Sequence, residues 1–154
     1  MIDWLETLVP PPLVMLATGL VMWGLAWLSP LFLLPPPVDW ALPSVLAFLS
    51  VGLACAGLLA FRLSATTIDP TNPTAASTLV TGGIYRFTRN PMYLGFAGLL
   101  LSWALHLHAW WVLPFPFVFA LYITALQIVP EERALHAKFG ADFSAYSEKV
   151  RRWF

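Results

Sequence analysis

Polar side chains that could bind a charged ligand lie at two points of an otherwise apolar chain. The first is residues 77–95, STLVTGGIYRFTRNPMYLG, in which Arg89 and Asn90 directly precede a proline and an apolar run. The second is the pair Glu131-Glu132, which follows the last apolar run. A guanidinium can bind a carboxylate through two parallel hydrogen bonds, and a carboxylate can hold an ammonium group. The two points together therefore predict a site for a ligand that carries both charges.

The composition is that of an integral membrane protein. Hydrophobic residues make up 59% of the 154 residues and charged residues only 10%, and the mean hydropathy is +0.75. The single cysteine, Cys55, cannot form an internal disulfide and offers no cysteine-based metal site. Charged side chains are costly to place beside a helix that enters a membrane, so the two polar points are where we expect function.

Four apolar runs predict an all-helical polytopic protein with about four membrane spans. We place the spans at residues 13–34, 41–63, 91–107 and 110–129, with a loop at 64–90 and cytoplasmic helices at 131–153. The second run carries Gly52, Ala54 and Gly57 at a spacing that lets helices approach closely in lipid. Few residues separate the third and fourth runs, which predicts a tight hairpin. Residues 1–154 thus form one membrane-embedded domain.

The basic residues indicate how the spans are oriented. With four crossings all eight fall on one side, namely Arg62, Arg86, Arg89, Arg133, Lys138, Lys149, Arg151 and Arg152. By the positive-inside rule this side, with the N-terminus, the loop and the C-terminal helices, faces the cytoplasm. We expect a bacterial inner membrane. Tryptophans lie at the predicted span ends, as interfacial anchors do, at Trp4, Trp40, Trp110, Trp111 and Trp153.

A hairpin of the third and fourth spans would bring the two polar points into one pocket. The helix start at Pro91 would add free N–H groups for an anion, and Tyr85, Phe87 and Tyr93 offer rings suited to a cation or a purine. Such a pocket suits a ligand with a zwitterionic amino acid at one end and an aromatic base at the other.

Simpler interpretations of the same residues also stay open. Arg86 and Arg89 could be headgroup contacts, and Glu131 and Glu132 could be the acidic residues that a helix dipole favours in a first turn. Residues 131–153 have apolar side chains at mostly three- and four-residue intervals, which predicts an amphipathic helix broken at Gly140.

Three motifs together resemble a known family of membrane enzymes. They are residues 78–86 (TLVTGGIYR), 89–95 (RNPMYLG) and 131–135 (EERAL), the last continuing to Phe139-Gly140 and Tyr146. In order and spacing, over roughly residues 41–153, they resemble the integral-membrane methyltransferases of the isoprenylcysteine carboxyl methyltransferase and phospholipid methyltransferase families.

The resemblance implies a cofactor, S-adenosylmethionine, bound from the cytosol, and a lipid-like acceptor that reaches the site from the bilayer. The cofactor contacts that it implies are Ser77, Thr78, Leu79, Val80, Tyr85, Asn90, Pro91, Met92, Tyr93 and Glu131. It also implies catalytic roles for Glu131, Arg89 and Tyr93, a substrate contact at Gln127, and no metal.

Two departures from the family pattern bear on the acceptor. The carboxyl-methylating branch usually has Arg-His-Pro where this chain has Asn90 after the arginine. Its eukaryotic members also carry an arginine four residues before the first glutamate, where this chain has Gln127. The first expectation is a lipid-like or small amphiphilic acceptor with an isoprenylcysteine-type carboxylate. The two departures weaken it and leave a phosphatidylethanolamine-type amine, as the alternative, or a thiol open.

Two interpretations outside methyl transfer remain. Membrane reductases that bind NADPH resemble this family in one C-terminal region, and a non-catalytic membrane scaffold is a second alternative. As partners we expect membrane lipids and the lipid-like or amphiphilic acceptor, and neither a nucleic acid nor a metal.

Overall fold

Helices make up the regular structure of residues 8–28, 30–35, 37–64 and 78–154, the parts of the chain that the computed structural model describes. The helices are α1 (Pro11–Ala26), α2 (Val38–Leu63), α3 (Pro91–His106), α4 (Phe115–Ile123), α5 (Val129–Phe139) and α6 (Ala141–Lys149). One-turn 3₁₀ helices lie at Gly83–Arg86 and Trp110–Val112. These described residues contain no β-strand, so the all-helical prediction is confirmed.

Two helices are long and apolar enough to cross a membrane. They are α2 and the continuous helix Trp110–Phe139, which contains α4 and α5. The helices α1 and α3 have 16 residues each, and at 1.5 Å per residue each is about 24 Å long, less than the ~30 Å of a bilayer core. Large apolar side chains such as Leu20, Phe48 and Phe117 are exposed on the outer surface. The protein is thus suited to a membrane, and the four-span arrangement stays a prediction.

The predicted first span is too long, because α1 ends at Ala26 and not at residue 34. Pro30 has no N–H and disfavours a helical conformation of the residue before it, so the helix cannot continue there. Instead Phe32 donates its backbone N–H to the carbonyl of His108 at 2.8 Å, and Trp110 donates to the carbonyl of Pro30 at 3.3 Å. Residues 30–32 therefore pair with residues 108–110, in the turn before α4.

The helix of the predicted fourth span does not stop at residue 129, although the end of the span itself stays a prediction. The helix continues from α4 into α5 through a π turn over Thr124–Ile128. Pro130 explains the turn, because a proline ring collides with the carbonyl four residues earlier and a wider turn relieves the collision. Glu131 therefore lies inside a continuous helix and not at a free helix start, so the helix-dipole interpretation of this residue loses its basis. Gly140, with φ +51°, separates α5 from α6 as predicted.

The helices α2 and α3 pack closely because glycines face the partner backbone. A methyl group at Gly95 would lie 2.7 Å from the carbonyl oxygen of Ser50 and 2.9 Å from Cβ of Ala54. A methyl group at Gly57 would lie 2.8 Å from Cγ of Met92. Gly52, in contrast, has no atom within 4 Å of such a methyl group. Of the small residues predicted to mediate close packing, Ala54 and Gly57 do so and Gly52 does not.

The core lies on the other side of α3, where α1 and α4 cover it. Met22, Leu100, Ala104 and Phe119 are buried there, together with Val112 of the turn before α4. The helix α3 is therefore held on one face by α2 and on the other by α1 and α4.

We expect Gly95→Ala to destabilise the protein by about 1–3 kcal/mol, because the added methyl group meets backbone and not a flexible side chain. The matched control is Gly52→Ala in α2, where the methyl group meets nothing and the expected change is near zero or slightly stabilising. Thermal unfolding of both variants in the same detergent measures the difference. Equal melting temperatures would contradict the close packing.

Candidate active site

A cavity of about 430 Å³ lies among the starts of α1 and α3, the second half of α2, and helices α5 and α6. Its size is within the roughly 300–1,000 Å³ of small-molecule sites. Most of its lining is apolar, as shown by Leu58, Phe61, Val80, Phe96 and Leu135. A few polar side chains from the loop, α3 and α5 are added to this apolar lining, which is the usual composition of a ligand site.

Most of the residues predicted for the site line this one cavity. They are Thr78, Leu79, Val80, Tyr85, Arg89, Asn90, Met92, Tyr93 and Glu131. Pro91 does not line it and is buried near Gly57. Gln127 is only 3% exposed and is also absent from the lining. Ser77 lies outside the described residues.

Glu131 receives two hydrogen bonds on the same oxygen. The Tyr93 hydroxyl and the Gln127 side-chain N–H each donate to Oε1, both at 2.6 Å. Oε2 accepts no hydrogen bond from the described residues, and none of their basic side chains forms an ion pair with Glu131. The half-buried carboxyl group at the cavity wall is therefore oriented by neutral donors and has no basic partner among the described residues, and burial raises its pKa to about 7.

Glu132 differs from its neighbour because two arginines bind it. Arg89 places Nη1 at 3.1 Å from Oε1, and Arg152 donates from Nε at 3.1 Å and from Nη2 at 2.6 Å. The hydrogen bond to Glu132 raises the pKa of Arg152, so this guanidinium stays charged. Of the two glutamates predicted to hold an ammonium group, Glu132 is neutralised within the protein and Glu131 is not.

Residues 150–153 hold the loop before α3 in place, a feature that sequence reasoning missed. The carbonyl of Arg151 accepts from the backbone N–H of Arg89 at 3.1 Å. The carbonyl of Arg152 accepts from the side-chain amide of Asn90 at 2.9 Å and from the hydroxyl of Thr88 at 3.3 Å. These contacts are made by backbone carbonyls, so no side-chain pattern indicates them.

Trp153 fastens the same segment to the π turn. Its indole N–H donates to the hydroxyl of Thr124 at 3.2 Å, and the side chain is half-buried against the core. Trp153 is therefore a packing residue and not the exposed interfacial anchor that its position predicted. Trp40, Trp110 and Trp111 are exposed, and Trp4 lies outside the described residues.

Two aromatic rings form one wall of the cavity. Tyr85 packs edge-on against Phe61, with ring centroids 5.3 Å apart, and Tyr146 donates its hydroxyl to the carbonyl of Tyr85 at 2.8 Å. Burial raises the pKa of Tyr85, and burial raises the pKa of Tyr146 to about 12 although Arg89 opposes the shift. Both phenols are therefore neutral at physiological pH and act as packing and hydrogen-bonding groups. Phe87, predicted to add a third ring, is 75% exposed and absent from the lining.

Several lining residues were not predicted from the sequence. Cys55, Leu58 and Phe61 share one face of α2 and reach the cavity, as do Pro11 and Pro12 at the start of α1. The spacing of the α2 residues, three apart, is the only signal of this face, and a lipid-facing surface has the same spacing. Among the described residues no group of three or more His, Cys, Asp or Glu is placed to hold a metal ion.

Comparison with known proteins identifies the family of this chain. The family model of phospholipid methyltransferases matches residues 41–142, well over half of the chain. The chain belongs to the phospholipid methyltransferase family. An uncharacterized protein of Haemophilus influenzae is similar too, at 42% identity over 65 residues, which cover 40% of this chain and 98% of that protein.

The phospholipid methyltransferase match covers α2 to α5 and therefore most of the cavity wall. It includes the loop residues Thr78 and Tyr85, the start of α3 and both glutamates. Membership of this family makes the protein a membrane methyltransferase. The part of the wall outside the match comes from α1 and from Phe143 and Tyr146 of α6.

We expect Glu132→Gln to destabilise the protein by about 1–2 kcal/mol, since it weakens charge-assisted hydrogen bonds to two arginines that are only partly screened by solvent. Glu148→Gln in α6, an exposed position, is the matched control and should be nearly neutral. Denaturant unfolding in detergent compares the two. Equal losses of unfolding free energy in Glu148→Gln and Glu132→Gln would show that the ion pairs of Glu132 do not stabilise the site.

Proposed function

We propose that this protein transfers the methyl group of S-adenosylmethionine to a lipid-like, amphiphilic acceptor at the cytoplasmic face of the membrane. The observation that carries the proposal is the single cavity lined by loop residues 78–80 and 85, by the start of α3 and by Glu131. The same residues are the cofactor contacts that the family resemblance implies. Residues 78–93 and Glu131 are far apart in sequence and meet at this cavity.

The residues present fit the charges and rings of this cofactor. Glu131 offers an uncompensated carboxylate for a cationic group, and Arg89 lines the cavity with a buried Nε that has no partner among the described residues. Tyr85 and Phe61 supply an aromatic wall against which a purine can pack. When bound, S-adenosylmethionine supplies a methyl group on a positively charged sulfur.

The protein's part in such a transfer is to orient the reactants and to exclude water. Tyr93 and Gln127 fix the Glu131 carboxylate, and the apolar side chains of Leu58, Phe96 and Leu135 keep the centre of the cavity dry. Close, in-line placement of the reacting atoms and removal of their hydration can lower the barrier by several kcal/mol without an acid or a base.

The membrane arrangement belongs to the same proposal. We propose four spans, with the N-terminus, the loop and α5–α6 in the cytoplasm, which is supported by exposed basic side chains at Arg86, Arg133 and Lys149. Cys55 and Leu58 are exposed on α2 and also line the cavity. An acceptor with an apolar chain could therefore reach the cavity along α2.

Among acceptors, a phosphatidylethanolamine-type amine is better supported than an isoprenylcysteine-type carboxylate. Eukaryotic carboxyl methyltransferases carry an arginine at the position of Gln127, and Gln127 is buried, outside the cavity lining and bonded to Glu131. The cavity thus lacks that cation for a substrate carboxylate, and Glu131 is assigned to the cofactor, so the preference for an amine rests on Gln127 alone.

We expect the purified protein in detergent to bind S-adenosylmethionine and not NADPH. Glu131→Gln should weaken the binding by about tenfold or more, because a charged partner of the ligand is lost. His108→Ala, between α3 and α4 at the far end of α3, is the control and should bind like the parent. Isothermal calorimetry measures all three proteins.

The opposite ligand preference would reject the methyltransferase proposal and favour a reductase. Parent-like binding by both variants would leave methyl transfer standing and would reject Glu131 as a cofactor contact.

The acceptor can be identified by its chemistry after transfer. The protein is incubated with a bacterial lipid extract and with S-adenosylmethionine labelled in its methyl group. After mild base treatment we expect the label to remain bound to the headgroup amine, because N-methyl groups are base-stable and methyl esters are not. Boiled protein is the control. Label released by base as methanol would instead identify a carboxylate acceptor.

A further inference from the structure

We propose that Gln127 is a positioning residue that acts through Glu131, fixing the carboxylate so that its second oxygen is left for a cationic group of the ligand. This inference rests on the function proposed above. It assigns Gln127 a role different from the substrate contact that the family resemblance implies.

The geometry at Glu131 shows how the carboxylate is fixed. Gln127 donates from its own helix, four residues earlier, and Tyr93 donates from α3, each at 2.6 Å and each to Oε1. Two donors that converge on one oxygen from two helices restrict both the position and the rotation of the carboxylate. Oε2 accepts no hydrogen bond from the described residues and remains for a ligand.

The surroundings of Gln127 argue against direct contact with a substrate. The residue is 3% exposed, lies in the π turn Thr124–Ile128 and is absent from the cavity lining, whereas Glu131 lines the cavity. A ligand in the cavity would therefore meet Glu131 and Tyr93, two lining side chains that Gln127 contacts, and not Gln127 itself.

The neutrality of both donors is as important as their position. The nearby cations Arg89 and Arg152 are bound to Glu132, so neither compensates Glu131. An arginine at position 127 would pair with Glu131 and compete with any cationic group of the ligand. A glutamine supplies the hydrogen bond without the positive charge, so it orients the carboxylate and preserves its attraction for a cation.

A double-mutant cycle on the affinity for S-adenosylhomocysteine tests this role in the full-length protein. Gln127→Met removes the donor while it keeps the length of the side chain, and we expect it to weaken affinity by about tenfold. In the Glu131→Gln background the same substitution should change affinity less than about twofold, because the group on which it acts is already altered. Calorimetry measures the four proteins, and Gln127→Glu, nearly isosteric, replaces Gln127→Met should that variant fail to fold.

The control is Ser102→Ala in α3, which also removes a buried hydrogen bond between helices, that to the carbonyl of Pro43 at 2.7 Å. It should lower the melting temperature and leave the affinity unchanged, since a purely structural loss does not change binding by the folded protein. Equal effects of Gln127→Met in both backgrounds, or an unchanged affinity, would overturn the positioning role alone. A parent protein that binds no S-adenosylhomocysteine would overturn the proposed function and this inference with it.

Discussion

The close approach of α2 and α3 is the constraint on which the site depends. Gly95 lies against the backbone of α2 at Ser50 and Ala54, and Gly57 lies against the first turn of α3 at Met92. Side chains at these positions would push the two helices apart. Because both positions are glycine, one face of α2 and the start of α3 lie close together and form adjoining walls of the cavity. In lipid no hydrophobic effect drives helices together, so close packing through small residues is favoured. In this protein the same packing also determines the shape of the cavity.

Two neighbouring glutamates, Glu131 and Glu132, have different electrostatic environments in the site. Glu132 binds Arg89 and Arg152 and thereby ties the loop, α5 and residues 150–153 together, so its charge is used inside the protein. Glu131 is held by a phenol and an amide and stays uncompensated at the cavity wall. Ion pairs with arginine are stronger than hydrogen bonds from neutral donors, so the protein fastens its loop with the former and orients the carboxyl group at its cavity wall with the latter.

Local and periodic signals could be predicted from the sequence, and backbone contacts between distant segments could not. The apolar runs, the helix start at Pro91 and the break at Gly140 follow from proline and glycine chemistry, and most of the site residues that the family resemblance implied line the cavity. The early end of α1 and the continuation of α4 into α5 were missed, because Pro30 and Pro130 look alike in sequence. The helix before Pro30 ends, whereas the helix at Pro130 continues by widening into a π turn. Only the packing of Trp153 and Gln127 around that turn distinguishes the two prolines.

The hydrogen bonds of Glu131 show why a carboxyl group without a basic partner can be tolerated beside an apolar cavity. A half-buried charge without a counterion is costly unless it is hydrogen-bonded, and Oε1 of Glu131 has two short hydrogen bonds while Oε2 has none within the described chain. The remaining desolvation cost destabilises the protein without ligand. A bound cation would relieve this cost, which would favour the bound state proposed above over the free one. A second donor to Oε2, or an arginine in place of Gln127, would stabilise the free protein and weaken this preference. The half-satisfied carboxylate is therefore better explained by binding than by folding.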